Sequence, residues 1–298
     1  MEPPLNPAAS AVQSGHLYVV ATPIGNLGDL SPRALEVLRG VDAICAEDTR
    51  NSAGLLNHFG LRKPLLALHD HNEEQVAAGL VARLAGGESL ALISDAGTPL
   101  VSDPGFRLVR AAREAGLPVV ALPGPCAAIA ALSISGIASD RFLFVGFLPA
   151  KSSQRRAALE ELAPQTATLL LYESSHRIAD CAVDLAAVLG DRRVCIAREL
   201  TKLFEQSEAM PAAGLPAWIA ADANREKGEF VLVVEGAPRQ QATAAADVER
   251  ILRVLVKELG ASQGARLAAE ITGRKKRELY EMSLGFGGAA DGTGNREG

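Results

Sequence analysis

Glu47-Asp48-Thr49-Arg50 places two carboxylates beside a guanidinium at the end of an apolar run. That grouping offers a proton acceptor or hydroxyl orienter (Asp48 or Glu47) and a phosphate clamp (Arg50). Neighbouring carboxylates raise one another's pKa, which suits a base. A plainer use of the same residues is helix capping, with Asp48 or Thr49 ahead of a helix from Asn51 and Arg50 in water. On the residues alone the two uses stand level. His69-Asp70-His71-Asn72-Glu73-Glu74 reads either as metal-type ligands or as a polar loop capping a helix from Glu73 with Asn72 as N-cap. No spaced second ligand group accompanies it, so no metal is expected. Glu173-Ser174-Ser175-His176-Arg177 ends another apolar run. His176 and Arg177 are placed to meet a polyanion and Ser175 to cap the next helix. Lys151, Arg155 and Arg156 form a basic patch, read equally as a solvated helix face.

Three loops differ from ordinary connections: Thr22-Pro23-Ile24-Gly25-Asn26-Leu27, Asp95-Ala96-Gly97-Thr98-Pro99-Leu100 and Pro123-Gly124-Pro125-Cys126-Ala127-Ala128. Each follows a strand-like run, at the carboxyl end where open α/β sheets bind ligands. Small residues let backbone N–H groups approach a ligand closely. Turn chemistry explains any one of them, but three in one half of the chain point to a shared cleft. GxGxxG after the first strand, GxxxxGK[ST], HExxH and GxSxG are all missing, so dinucleotide, P-loop, zincin and α/β-hydrolase chemistry lose their usual support.

The elements that must hold these loops follow from periodicity. Apolar β-type runs at 17–22, 41–46, 64–68, 89–94 and 118–122 alternate with helical stretches. One helix has Ser31 as N-cap and Pro32 at its first position. This is the rhythm of a mostly parallel sheet covered by helices. A second series occupies 141–147, 167–173, 193–199 and 229–236, with a boundary expected near Ser139. Beyond Pro238 the pattern is helical, at about 244–259, 262–272 and 274–283. The expected organisation is a disordered tail over 1–15, α/β domains over 16–139 and 140–237, a helical module over 238–284, and a Gly-rich tail over 285–298.

The helical module is the charge anomaly. The chain carries 30 Lys plus Arg against 35 Asp plus Glu, net −5, which argues against a uniformly basic nucleic-acid coat. Residues 239–282 instead hold nine basic and six acidic side chains, four of the basic ones consecutive at Arg274, Lys275, Lys276 and Arg277. A helix, a glycine turn and a basic second helix make a helix-turn-helix-like unit that attracts phosphate, with Leu267, Ile271, Leu279 and Tyr280 as its small core. Docking on the domain or dimer surface is its plainer use. With 48% hydrophobic residues the composition is that of a folded globular chain. No apolar stretch reaches membrane-spanning length, and the N-terminal residues lack a secretory pattern. Four cysteines without paired spacing fit reduced thiols and a cytoplasmic location.

ATPIGNLGDLSPRAL, AEDTR, SDAGTPLVSDPG, LPGPCAA and YESSHR, in this order and spacing, resemble the tetrapyrrole methylase superfamily. More narrowly they resemble its bacterial 16S rRNA (cytidine 2′-O) ribose methyltransferase branch. The resemblance runs from about Leu17 to Leu284. ATPIGN and SDAGTP stand where the superfamily has a GxGPG-type first loop and a GGDP-type loop, which argues against porphyrin substrates. The resemblance implies two α/β/α domains with S-adenosyl-L-methionine held between them, plus the helical module. It implies cofactor contacts at Pro23, Gly25, Asp95, Ala96, Gly97, Leu100, Cys126 and Ala127, and at Glu173 and Glu199 at strand ends of the second domain. It favours Asp48, Glu47 and Arg50 as catalytic residues, and RNA contacts at Lys151, His176, Arg177 and Arg274 to Arg277. The implied acceptor is 16S rRNA or the small ribosomal subunit, and the implied assembly a homodimer. With only 4% aromatic residues, recognition by shape and phosphates is expected over base stacking. The alternatives are a C-methyltransferase of a tetrapyrrole or other small acceptor, and a non-catalytic RNA-binding ribosome factor.

Overall fold

Short apolar runs bounded by turn residues become the strands of two five-stranded sheets in a computed structural model that describes residues 12–238 and 245–287. In the first sheet β1 (Leu17–Val20), β2 (Ala43–Ala46), β3 (Leu65–Ala67), β4 (Leu90–Ile93) and β5 (Val119–Leu122) lie in the order β3-β2-β4-β1-β5. Every pairing is parallel. Helices cover both faces, so β2 and β4 are buried at every position and read as unbroken apolar runs rather than alternations. These helices are α1 (Pro32–Gly40), α2 (Thr49–His58), α3 (Glu73–Ala85) and α4 (Phe106–Glu114). The start of α1 is as expected: Ser31 Oγ accepts the Ala34 N–H at 3.1 Å and Pro32 occupies the first turn.

The run at 69–74 departs from its reading. Asn72 stands at the N-cap of α3 but makes no side-chain cap bond; its Oδ1 accepts the His69 N–H at 2.9 Å, closing the preceding turn instead. Glu73 is buried and its Oε1 accepts the Leu108 N–H at 3.0 Å, joining α3 to α4. No group of three metal-capable side chains forms among the described residues.

The second sheet contains β6 (Phe142–Phe147), β7 (Thr168–Ser174), β8 (Arg193–Arg198), β9 (Gln206–Pro211) and β10 (Glu229–Val234), in the order β6-β7-β10-β8-β9. It is mixed: only β6–β7 is parallel. Sequence reading passed over β9, because QSEAMP is polar and mostly exposed, as an edge strand permits. One face packs on α5 (Ala127–Ile134) through Ala128, Ala131, Leu132, Val231 and Val233. The other face packs on α6 (Ser152–Leu162), α7 (Ile178–Leu189) and α8 (Leu215–Ala220). Both sheets belong to one compact unit, 1–163 with 167–236, and the remaining residues cluster as a second.

The second unit contains α9 (Ala245–Leu259), α10 (Ala261–Thr272) and α11 (Lys276–Leu284). Gly264 permits a close crossing of the first two, since a Cβ there would lie 2.9 Å from the Val256 backbone. Val248, Leu252, Ala265, Ala268 and Leu279 form the core. Of the expected core residues Leu279 is buried, but Ile271 is 61% and Tyr280 39% exposed. Alanines on α10 do the packing in their place.

Of the expected N-terminal tail, residues 1–11 lie outside the described residues; Val12 packs against the α1 cluster and Ser14 Oγ donates to Gly87 O at 2.6 Å. At the other end Gly285–Gly287 form a 3-10 turn, with residues 288–298 outside the described set. No helix among the described residues is long and apolar enough to cross a membrane.

Candidate active site

Strands β4, β1 and β5 are neighbours, so the loops leaving their carboxyl ends must meet. Thr22 and Gly97 exchange backbone hydrogen bonds, Thr22 N to Gly97 O at 2.8 Å and Gly97 N to Thr22 O at 3.0 Å. Thr98 Oγ1 donates to Pro125 O at 2.9 Å, which ties the second loop to the third. Gly124 lets the third loop lie on the first: a Cβ there would sit 2.8 Å from Ala21 Cβ. Gly97 itself has φ +85°, a backbone that side-chain-bearing residues adopt at a cost.

The three tied loops form one wall of a cavity of about 340 Å³. Asp95, Ala96, Gly97, Cys126 and Ala127 stand on that wall. The opposite wall is the second sheet, with Phe147, Tyr172, Leu200 and Phe230. Tyr172 spans the two: its hydroxyl accepts the Ala128 N–H at 3.1 Å, and its ring packs edge-on against Phe144 and Phe147. Burial, with Cys126 alongside, raises the Tyr172 phenol well above its ordinary value.

Four of the expected cofactor residues are not on the cavity wall. Pro23 is buried, and Leu100 packs against the cluster around Leu90 and Leu92 of β4. Gly25 lies against Lys202, where a Cβ would be 2.4 Å from Lys202 Cγ. The Glu199 carboxylate accepts from Lys202 Nζ at 2.8 Å and from the Glu229 N–H at 3.0 Å. Lys202, which also bonds Glu229 Oε2 at 2.7 Å, reaches the cavity in its stead. Glu173 borders the cavity, but its Oε1 accepts the Ser174 N–H and pairs with Arg177 Nε at 3.2 Å.

The Glu47–Arg50 cluster leaves β2, next to β4, and is joined to the second loop. Asp48 N donates to Asp95 Oδ1 at 3.2 Å and Asn51 Nδ2 to Asp95 Oδ2 at 2.8 Å. Asp48 is the N-cap of α2, accepting the Arg50 N–H at 2.8 Å, and the Arg50 guanidinium closes on both its oxygens. The Arg50 side chain thereby holds the Asp48 carboxyl down at about 2. The rise expected from crowded carboxylates falls elsewhere. Glu47 is pushed up by burial and by Asp103, Asp95, Asp70 and Asp48. Asp103, on the cavity wall, is pushed up to about 6 by burial first and then by Asp95 and Asp70, against the Ser94 hydroxyl.

Of the residues expected to meet RNA, Lys151 and His176 are exposed. Arg177 instead holds the chain, with Nη2 donating to Leu148 O at 2.5 Å. Arg155 is buried and, with Arg156, is bound to Asp184 at 2.7 and 2.6 Å. The expected patch beside Lys151 is therefore largely neutralised. In the helical unit Arg274 pairs with Glu278 at 2.9 Å and Arg277 with Glu281 at 3.1 Å. Lys275 and Lys276 have no acidic partner among the described residues.

The residues that sequence reasoning missed are Asp103 and Lys202. Asp103 lies within the SDAGTPLVSDPG segment, five residues after Thr98, and the left-handed backbone at Leu100 and Ser102 turns the chain back to the cavity.

A parallel sheet with a ligand cradle at its carboxyl ends, backed by a mixed sheet, defines a two-lobed α/β transferase architecture. Residues 16–216 match the family described as Tetrapyrrole (Corrin/Porphyrin) Methylases, and residues 242–285 match the RsmI C-terminal HTH domain. The chain belongs to the tetrapyrrole methylase family and, within it, to the group of ribosomal RNA small subunit methyltransferase I proteins. The protein of that name from Xylella fastidiosa (strain Temecula1) is 56% identical over 267 residues, covering 89% of this chain and 98% of the relative. That from Escherichia coli O157:H7 is 55% identical over 271 residues, covering 91% and 95%. Among solved structures, the methyltransferase CobJ shares the fold with a TM-score of 0.55 at 18% identity, covering 75% of this chain and 95% of that one.

Proposed function

We propose that this methyltransferase uses S-adenosyl-L-methionine to methylate the ribose 2′-hydroxyl of a cytidine in 16S rRNA, within the small ribosomal subunit. The observation that carries the reading is the cradle closed by the Thr22–Gly97 and Thr98–Pro125 bonds beneath a rim of carboxylates. The residues fit the cofactor on three counts. A cavity of about 340 Å³ is of small-molecule size. Its apolar walls at Ile24, Phe230 and the Tyr172 ring suit a purine or thioether carbon chain. Asp95 and Glu47 give it a negative field that favours a cationic ligand. Asp95, Ala96, Gly97, Cys126 and Ala127 would hold the cofactor, with Glu173 supporting Arg177 behind the wall.

When bound, the cofactor supplies an electrophilic methyl group on a sulfonium. The protein's part is to align the ribose hydroxyl with it and to take up the proton. Arg50 is exposed at the rim, where its guanidinium holds a neighbouring phosphate while Asp48 orients it. Lys151, His176, Lys275 and Lys276 add phosphate contacts, joined by Arg274 and Arg277 where phosphate displaces their glutamate partners. A homodimer and a cytoplasmic location complete the reading.

The test is methyl transfer from labelled cofactor to small subunits lacking the modification, with the product nucleotide mapped by mass spectrometry. Label on a cytidine ribose supports the reading. Label only on small acceptors, or cofactor binding with no transfer to RNA, would overturn it.

A further inference from the structure

The wall of the cavity carries one carboxylate that neither the Glu47–Arg50 cluster nor the cofactor loops account for. Asp103 lies in the turn between β4 and α4, where the backbone is left-handed at Leu100 (φ 73°), Ser102 (φ 65°) and Gly105 (φ 123°). Two of these are not glycines, and such strain persists where the surroundings impose it, most often at functional sites. The surroundings are visible on both sides. Gly105 is pressed to β4, where a Cβ would lie 2.6 Å from Leu92 Cδ2. Ser102 lies against the second sheet, its Oγ 3.1 Å from where a Cβ on Gly146 would be. The turn is thus clamped between the sheets, and Asp103, between the clamped positions, is held on the cavity wall.

The groups around it are Ser94 from the end of β4, Asp95 from the second loop, Asp70 from the connection after β3, Glu47 from the end of β2 and Tyr172 from β7. Lys202, the cation on the same cavity wall, is taken by Glu199 and Glu229. The four other carboxylates nearby are less suited to accept a proton. Asp48 is closed by Arg50, Asp95 accepts from Asp48 N and Asn51 Nδ2, and Glu47 and Asp70 lie off the cavity wall.

We propose that Asp103 is the residue that accepts the proton of the acceptor ribose 2′-hydroxyl during methyl transfer. The inference rests on the function proposed above. As the hydroxyl oxygen forms its bond to the methyl carbon, its O–H bond breaks and the proton passes to an Asp103 carboxylate oxygen. The electron pair of the methyl–sulfur bond leaves with sulfur, which becomes a neutral thioether, and Asp103 returns its proton to water. A carboxyl pushed up to about 6 stays ionised at neutral pH yet is a far stronger base than one held at about 2.

The experiment compares wild type, Asp103→Asn and Asp103→Glu in single-turnover methylation of unmodified small subunits from pH 5 to pH 9. Cofactor and subunit affinities are measured in parallel. Asparagine should lower the rate about a hundredfold or more, leave both affinities within about threefold, and remove the acid limb that wild type shows near pH 6. Glutamate should restore part of the rate together with the limb. An Asn variant within a few-fold of wild type, acid limb intact, overturns the proposal. So does one whose rate recovers fully at saturating cofactor, since Asp103 would then bind cofactor rather than take the proton. Wild type that transfers nothing to RNA overturns the function itself, an outcome distinct from an active wild type with an indifferent variant.

Discussion

Asn51 donates through Nδ2 to the Asp95 carboxylate at 2.8 Å, so the first turn of α2 and the second cradle loop move as one piece. Anything that grips Arg50, one residue before Asn51, is felt at the cofactor loop. On the proposed function, the acidic-basic cluster is the joint between RNA and cofactor.

Asp48→Ala removes the α2 cap and the partner of Arg50. The expected result is a lower melting temperature and weaker RNA binding, with Asp48→Asn recovering the melting temperature through its cap oxygen. Because Arg50 holds the Asp48 carboxyl below its ordinary value, its contribution is present above about pH 4 and lost as pH falls towards 2. Thermal scans from pH 7 down to pH 3 check the sign. A single-turnover rate that collapses with RNA affinity intact would return the catalytic role to Asp48.

Gly97→Val should abolish measurable cofactor binding. The residue sits at φ +85°, where a β-branched side chain is excluded, and both of its backbone bonds to Thr22 depend on that conformation. Gly97→Ala should bind weakly, since its Cβ meets Ile24 Cγ2 at 3.4 Å and Pro125 O at 3.9 Å, both tolerable contacts, and the strain comes from φ. Calorimetric titration distinguishes the two.

Asp103→Asn should be more stable than wild type above pH 7 and equal to it near pH 4. A carboxyl raised to about 6 in the folded state keeps its proton when the unfolded chain has lost its own, so stability falls as pH rises from about 4 to 6. With its open side screened by solvent, the gain at pH 8 is roughly 1 kcal/mol, or about 2–4 °C.

Asp184→Ala strands the buried Arg155 guanidinium. Burial works to raise the Asp184 carboxyl, but bonds from Arg156, Ser152 and Arg155 hold it below the ordinary range. Losing it should cost about 3–5 kcal/mol in urea denaturation at pH 7. The gap to wild type should narrow as pH falls through the depressed titration of Asp184.

Lys275→Glu with Lys276→Glu should weaken RNA binding and flatten its salt dependence by about 1–2 in log–log slope. Cofactor affinity should hold, since every cavity-lining residue precedes residue 237. Glu278→Ala with Glu281→Ala should do the opposite to RNA binding by releasing Arg274 and Arg277. Filter binding across a salt series reads both.

Much of the first sheet was legible because a doubly covered parallel strand advertises itself as an apolar run, and because Pro and Gly mark the loops at its carboxyl end. β9 was not, because an edge strand need bury little and QSEAMP carries no apolar alternation. The site was half legible. The loops of Asp95 to Gly97 and Cys126 to Ala127 follow from their place at strand ends and the residues within them from the family resemblance, whereas Asp103 and Lys202 depend on a turn clamped between sheets and on contact with Gly25, a residue far away in the chain. Proximity in sequence misled at Arg155, which looked like part of a surface patch but faces inward on α6 to meet Asp184.

The paired backbone bonds between Thr22 and Gly97 join two loops of the chain itself, which bears on how the protein breathes. Both amides should resist hydrogen exchange in the cofactor-free protein almost as well as in the loaded one, because their protection comes from the fold. Cofactor binding then carries no ordering cost at this loop, and its heat capacity change should track the apolar area covered.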